Sequence, residues 1–186
     1  MALSWVSVNA NDGSIIADLP GLIVGGPLKR TIGRAETQTA TLPLGPSQTP
    51  KGATFRGAPR NWRQATRAKA VFLVALDEDE VPVWGGMVTE RQTTHRTGVE
   101  LSLETAEAYF QDRFVGDETF YTWPQNDIVE YLVLKYAATD GIPIRVVKLP
   151  GPNPVRGRTY LDRDDKTLGS ILDELSGIIG GPEWTV

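Results

Sequence analysis

Residues 70–114 constrain the fold more than any other stretch of this chain. Residues 70–76 (AVFLVAL) are continuously apolar and read as a strand covered on both faces. Asp77-Glu78-Asp79-Glu80 makes a charged return. Residues 81–114 (VPVWGGMVTERQTTHRTGVELSLETAEAYFQDRF) then read as an extended strand, a short polar return, a second strand, and a helix that begins almost where that strand stops. The two strands flanking the acidic return are the expected core, paired like a hairpin. The segment has the character of framework and holds no arrangement of groups that could do chemistry.

The N-terminal third reads as further strands. Residues 4–8 alternate, and Asn11-Asp12-Gly13 is a strong turn signal. Residues 14–19 return as a second strand ending at Pro20-Gly21. Leu22-Ile23-Val24 predicts a short strand closed by Gly25-Gly26-Pro27, and residues 28–32 predict another. Residues 36–42 (ETQTATL) alternate as a strand with one wet face does. From Gly45 to Asn61, glycines and prolines interrupt every pattern, which predicts a long loop of the kind that binds or moves.

Three amphipathic helices are expected. Leu103, Ala106, Tyr109, Phe110 and Phe114 form the apolar stripe of the first. Pro124 suits the start of the second, with Ile128, Val129, Leu132, Val133 and Tyr136 inward and Gly141 as its stop. The third spans 165–179, with Leu168, Ile171, Leu172, Leu175 and Ile179 inward. Residues 142–149 predict a strand, and residues 158–161 a short one. The expected class is α+β: a mainly β, barrel-like region over 1–103 and a mixed helix and strand region over 104–186. Glu183-Trp184-Thr185-Val186 reads as the opening of another strand, so the chain is expected to be part of a longer protein.

Composition narrows the function classes. Glycine (19) and proline (13) exceed the roughly 12% average usage, favouring turns and short elements over a helical bundle. The net charge of -4 argues against a surface built wholly for nucleic acid. No cysteine is present, which excludes disulfides, thiolate metal sites and cysteine nucleophiles. The N-terminus lacks the pattern of a secretory signal, and the apolar runs are far too short for a membrane span.

Candidate chemical sites are weak. His95 is the only histidine and reads as an ordinary loop residue, with too few partners for zinc or a Ser-His-acid arrangement. Asp162, Asp164 and Asp165 fail the calcium-loop spacing, because Thr167 and Asp173 occupy its glycine and glutamate positions. One of these acids is expected to cap the third helix. Glu104 and Glu107, about a turn apart, are expected to face water near a helix start. No catalytic residue, cofactor or metal is therefore expected, and no enzyme activity.

One charge pattern stands out. Lys51, Arg56, Arg60, Arg63, Arg67 and Lys69 fall within residues 37–76, a stretch with no Asp or Glu. Such a segment could meet phosphates or an acidic protein surface. With only Phe55 and Trp62 as aromatics it lacks the stacking platforms of a single-strand binder. A protein interface is the expected role.

Read in order, several motifs resemble the N-terminal portion of tail-hub or minor tail proteins of long-tailed bacteriophages, in particular those of actinobacterial phages and prophages. The carrying residues are Trp5, the Asn11-Asp12-Gly13 turn, Leu19-Pro20, the strand Pro82-Val83-Trp84-Gly85-Gly86-Met87-Val88, and the segment to Phe114 with Tyr109 and Arg113. They continue through Thr119-Phe120 to Leu132, Arg158-Thr159-Tyr160, the helix over 167–175, and Glu183-Trp184. The resemblance implies barrel-like β domains that join the tail tube to the baseplate or tip. It also implies homotrimers in the assembled particle, with a monomer as the alternative for this chain on its own, other tail proteins as partners, and a location in the virion tail after assembly in the host cytoplasm. Trp84, Tyr109, Phe110 and Leu132 would be core framework. No peptidoglycan-cleaving module is visible. The competing reading is a carbohydrate- or other ligand-binding module that stacks its ligand on Trp84, Tyr121, Trp123 and Tyr160.

Overall fold

The structure, a computed structural model, describes residues 3–45, 58–94, 98–138 and 142–186. The chain is α+β and divides into two compact units, one of Met1–Arg30 with Glu36–Thr105 and one of Thr31–Ala35 with Ala106–Val186.

The first unit is a seven-stranded antiparallel sheet. Its strands are β1 (Ser4–Asn9), β2 (Ile15–Asp18), β3 (Ile23–Val24), β4 (Thr37–Pro43), β5 (Val71–Leu76), β6 (Pro82–Thr94) and β7 (Gly98–Thr105). They lie in the order β2-β1-β5-β6-β7-β4-β3. The first turn is set locally. Gly13 adopts φ +72°, and the Asp12 carboxylate accepts from the Ser14 amide at 2.9 Å. The acidic return works the same way, with the Asp77 carboxylate accepting from the amides of Asp79 (2.9 Å) and Val81 (2.8 Å). β5 and β6 pair across it in register, Ala75 opposite Trp84 and Leu73 opposite Gly86.

Alternation places Trp5, Leu73, Ala75, Trp84, Val88, Leu101 and Leu103 in one buried cluster. Phe72, Val74 and Leu76 on the other face of β5 are only half-buried, so that strand is less enclosed than its composition suggests. Among the described residues the expected barrel is not closed: the sheet is open, with β2 and β3 at its ends. β3 has only two residues and runs into Gly25-Gly26-Pro27, where proline offers no amide to extend a ladder. Residues 28–32, expected as a strand, form no ladder; only an isolated Thr31–Arg34 bridge follows.

In the second unit, β8 (Glu118–Pro124) pairs antiparallel with β9 (Val155–Tyr160). The first unit carries the single turn α1 (Trp62–Ala65), and the helices of the second are α2 (Gln125–Tyr136) and α3 (Leu168–Ser176). Ile128, Leu132, Leu168, Ile171, Leu172 and Leu175 are fully enclosed. The first expected helix is instead a 3-10 helix, Ala106–Asp112. Leu103 belongs to β7, and Phe114 is 63% exposed. With three residues per turn, Glu107 and Phe110 share the buried side, which a 3.6-residue reading does not anticipate.

α3 begins at Leu168 and is capped by Thr167, whose hydroxyl accepts from the Ser170 amide; none of the three aspartates caps it. Residues 142–149 form no ladder. Ile142, Ile144 and Val146 are half-buried, while Pro143, Arg145 and Val147 are exposed. Residues 181–186 are likewise irregular. Neither stretch joins a sheet, although the Trp184 carbonyl accepts from the Gly33 amide at 2.8 Å.

Candidate functional site

The most distinctive surface of the first unit is cationic. Pro59 starts the turn into α1, with the Trp62 amide donating to its carbonyl at 2.9 Å. The Asn61 side chain anchors this segment by donating to the Ile16 carbonyl on β2 at 3.1 Å. Ala65 and Thr66 are buried beneath, while Arg60, Arg63, Arg67 and Lys69 all face solvent. Lys69 adopts φ +56° and donates its amide to the Val88 carbonyl at 2.7 Å, so the platform ends where β5 starts. Lys51, Arg56 and His95 lie outside the described residues.

A fifth cation joins them. Arg91 donates to the Arg63 carbonyl at 2.8 Å, and its guanidinium lies 5.7 Å from the centre of the Trp62 ring. Arg63 sits over the same ring at 4.6 Å. The indole therefore holds two like charges close together through its electron-rich face. Arg91 reaches this position because β6 carries a bulge between Val88 and Glu90. Val88 opposes Leu103, and after the bulge Arg91 opposes Leu101, so an even and an odd position share one face. Period-two reading of the sequence puts Arg91 on the opposite face and misses it.

The expected framework residues are all buried. Trp84 meets Trp5 edge-on at 5.9 Å and donates from Nε1 to the Lys29 carbonyl at 3.0 Å. Tyr109 donates to the Ala137 carbonyl at 2.9 Å, with the Arg113 guanidinium 4.2 Å from its ring centre. Phe110 packs against Trp184 at 5.6 Å, and Leu132 is fully enclosed on α2.

The second unit holds a cleft of about 560 Å3, bounded by Phe110, Val129, Val133, Lys148, Leu172 and Trp184 among others. Its rim is charged: Lys148 bridges Asp127 (2.8 Å) and Glu130 (2.6 Å) on α2, and both carboxylates hold the ammonium pKa above its ordinary value. Glu107, expected in water, is buried and accepts from the Thr185 hydroxyl and the Val186 amide, each at 3.2 Å. Glu104 lies on β7, half-buried. The two acids therefore do not share a helix face. Among the described residues no group of three or more His, Asp or Glu side chains could hold a metal ion.

A second polar cluster joins β8 to α2. Glu118 accepts from Lys135 and, at 2.6 Å, from the Tyr136 hydroxyl. Tyr160 is buried beside Phe120, and burial pushes its phenol pKa up to about 12. Among the described residues its hydroxyl has no hydrogen-bond partner. Among those residues, too, no helix is long and apolar enough to cross a membrane.

No protein-family model matches this sequence, and no curated protein is significantly similar to it.

Proposed function

We propose that this chain is a structural component of the tail tip or baseplate hub of a long-tailed bacteriophage, joining the tail tube to more distal parts. The observation that carries the reading is the role played by the resembling residues. Trp5 and Trp84 lock β1 to β6, Gly86 makes room for the Trp84 ring, and Tyr109 holds Arg113. The motifs that resemble tail hubs are thus framework positions in both units, as suits a protein whose work is to keep a shape under load. On this reading the open ends of the sheet, β2 and β3, are where the family's barrel-like wall is completed. The assembled protein is then a homotrimer in the virion tail, put together with other tail proteins in the host cytoplasm.

Antibodies raised against the purified chain test this on induced phage particles by gold labelling and electron microscopy. Label confined to the distal end of the tail is the expected result. Particles labelled on the head, or not at all, overturn it.

Exposed aromatics favour one competing reading. Tyr121 is 85% and Trp123 41% exposed on β8, so they could stack on a sugar. Trp84 and Tyr160, the other two candidates, are buried. A glycan array probed with the purified chain decides: binding abolished by Tyr121→Ala would favour the ligand-binding module.

A further inference from the structure

The cationic platform and the acidic return occupy opposite ends of one strand. Lys69 lies two residues before β5 (Val71–Leu76), and Asp77-Glu78-Asp79-Glu80 follows it directly. Six residues of strand separate the two by about 20 Å. Glu78, Asp79 and Glu80 are exposed, whereas Asp77 is spent on holding the turn. Among the described residues no ion pair joins these three acids to a cation, nor Arg60, Arg63 or Arg67 to a carboxylate. At that separation, on a hydrogen-bonded strand, the two patches of one copy cannot meet.

We propose that the platform formed by Arg60, Arg63, Arg67 and Arg91 receives the acidic return, Glu78-Asp79-Glu80, of a second copy of this chain. Three features point to a second copy. The charges are complementary in sign and similar in number. Both patches are presented by fixed backbone, one by the α1 turn anchored to β2 and the other by the Asp77-locked turn. Finally, unlike patches at opposite ends of a unit make a head-to-tail contact, which either closes into a ring or runs on as a filament. Trp62 prepares the platform by holding the Arg63 and Arg91 guanidiniums over one ring before the partner arrives. The contact is electrostatic, so it weakens with salt. It deepens the assembly part of the hub reading by naming the contact.

The test uses the full chain and two reversals, Arg60→Glu/Arg63→Glu/Arg67→Glu and Glu78→Lys/Asp79→Lys/Glu80→Lys. Sedimentation and cross-linking are followed over a concentration series at low and high salt. Wild type is expected to associate at low salt and to dissociate at high salt. Each reversal alone is expected to stay monomeric with an unchanged melting temperature, since every altered residue is exposed. An equimolar mixture of the two reversals is expected to recover association. Wild type that stays monomeric throughout, or reversals that associate like wild type, would overturn the proposal. So would a reversal-sensitive affinity for duplex DNA without self-association. Tail-tip labelling is a separate readout. Association without labelling leaves this contact standing and removes the phage setting, and labelling without association does the opposite.

Discussion

Gly86 lies directly against the indole of Trp84, two residues back on the same face of β6. A Cβ on Gly86 would fall inside the contact distance of the ring and only 3.2 Å from the Glu104 carbonyl oxygen on β7. The neighbouring Gly85 has no such constraint, its nearest atom being a Val74 methyl at 4.0 Å. The Trp-Gly-Gly sequence is therefore a packing device in which the second glycine is the one that the tryptophan requires.

Gly86→Ala should destabilise the protein by about 1–3 kcal/mol through overpacking. Gly85→Ala should stay within about 1 kcal/mol of wild type, the full span of strand preference. Urea unfolding of both variants separates them; equal losses would mean that Trp84 can move aside.

Gln125 is a buried polar residue where β8 passes into α2. Its Nε2 donates to the Leu175 carbonyl at 2.9 Å, near the end of α3, where helix carbonyls lack partners within the helix. Gln125→Leu fills a similar volume but leaves that carbonyl unpaired in the interior. A loss of about 1–3 kcal/mol is expected in thermal or urea unfolding.

Thr167 begins α3 by accepting from the Ser170 amide at 3.1 Å. Thr167→Ala should cost about 1 kcal/mol, and Thr167→Ser should recover most of it. Amide exchange at Ser170 provides a local readout, expected to speed up in the alanine variant alone.

Glu118 makes stability depend on acid. Burial pushes its carboxyl pKa up, but hydrogen bonds from Lys135 and Tyr136 outweigh this and hold it below the ordinary value. A carboxylate with a depressed folded pKa contributes stability above its unfolded pKa, about 4.3, and loses it as pH falls through the folded value. Glu118→Gln should therefore melt lower than wild type at pH 7. The gap should narrow below about pH 4 and close once wild-type Glu118 is protonated. Melting temperatures from pH 7 to pH 2.5 check this; a gap independent of pH would show that the charge is immaterial.

Elements whose signals are local were readable in advance. The turn at Asn11-Asp12-Gly13, the acidic return between β5 and β6, and most of the buried stripes of α2 and α3 follow from a few adjacent residues, but Ile179, expected inward, lies past the end of α3 and is 96% exposed. Apolar spacings of three and four fit an α-helix as well as the 3-10 helix over Ala106–Asp112, and packing chooses the tighter form. Four of the six cations expected at an interface fall among the described residues, and all four lie on the exposed platform. Nothing in the spacing of residues marks Arg91 as a member of that platform, because the bulge between Val88 and Glu90 shows in no spacing rule.

The order of residues, then, determined where the chain turns, which strand pairs form hairpins, and where positive and negative charge accumulate. The turns depend on side chains bonding their own neighbouring backbone, and the charge runs on residue identity alone. Tertiary structure alone decided that among the described residues the sheet stays open, that residues 142–149 join no ladder, that Glu107 is enclosed, and that Arg91 joins Arg63 over Trp62. Those outcomes rest on contacts between residues far apart in sequence, where one extra residue in a strand is enough to move a side chain to the other face.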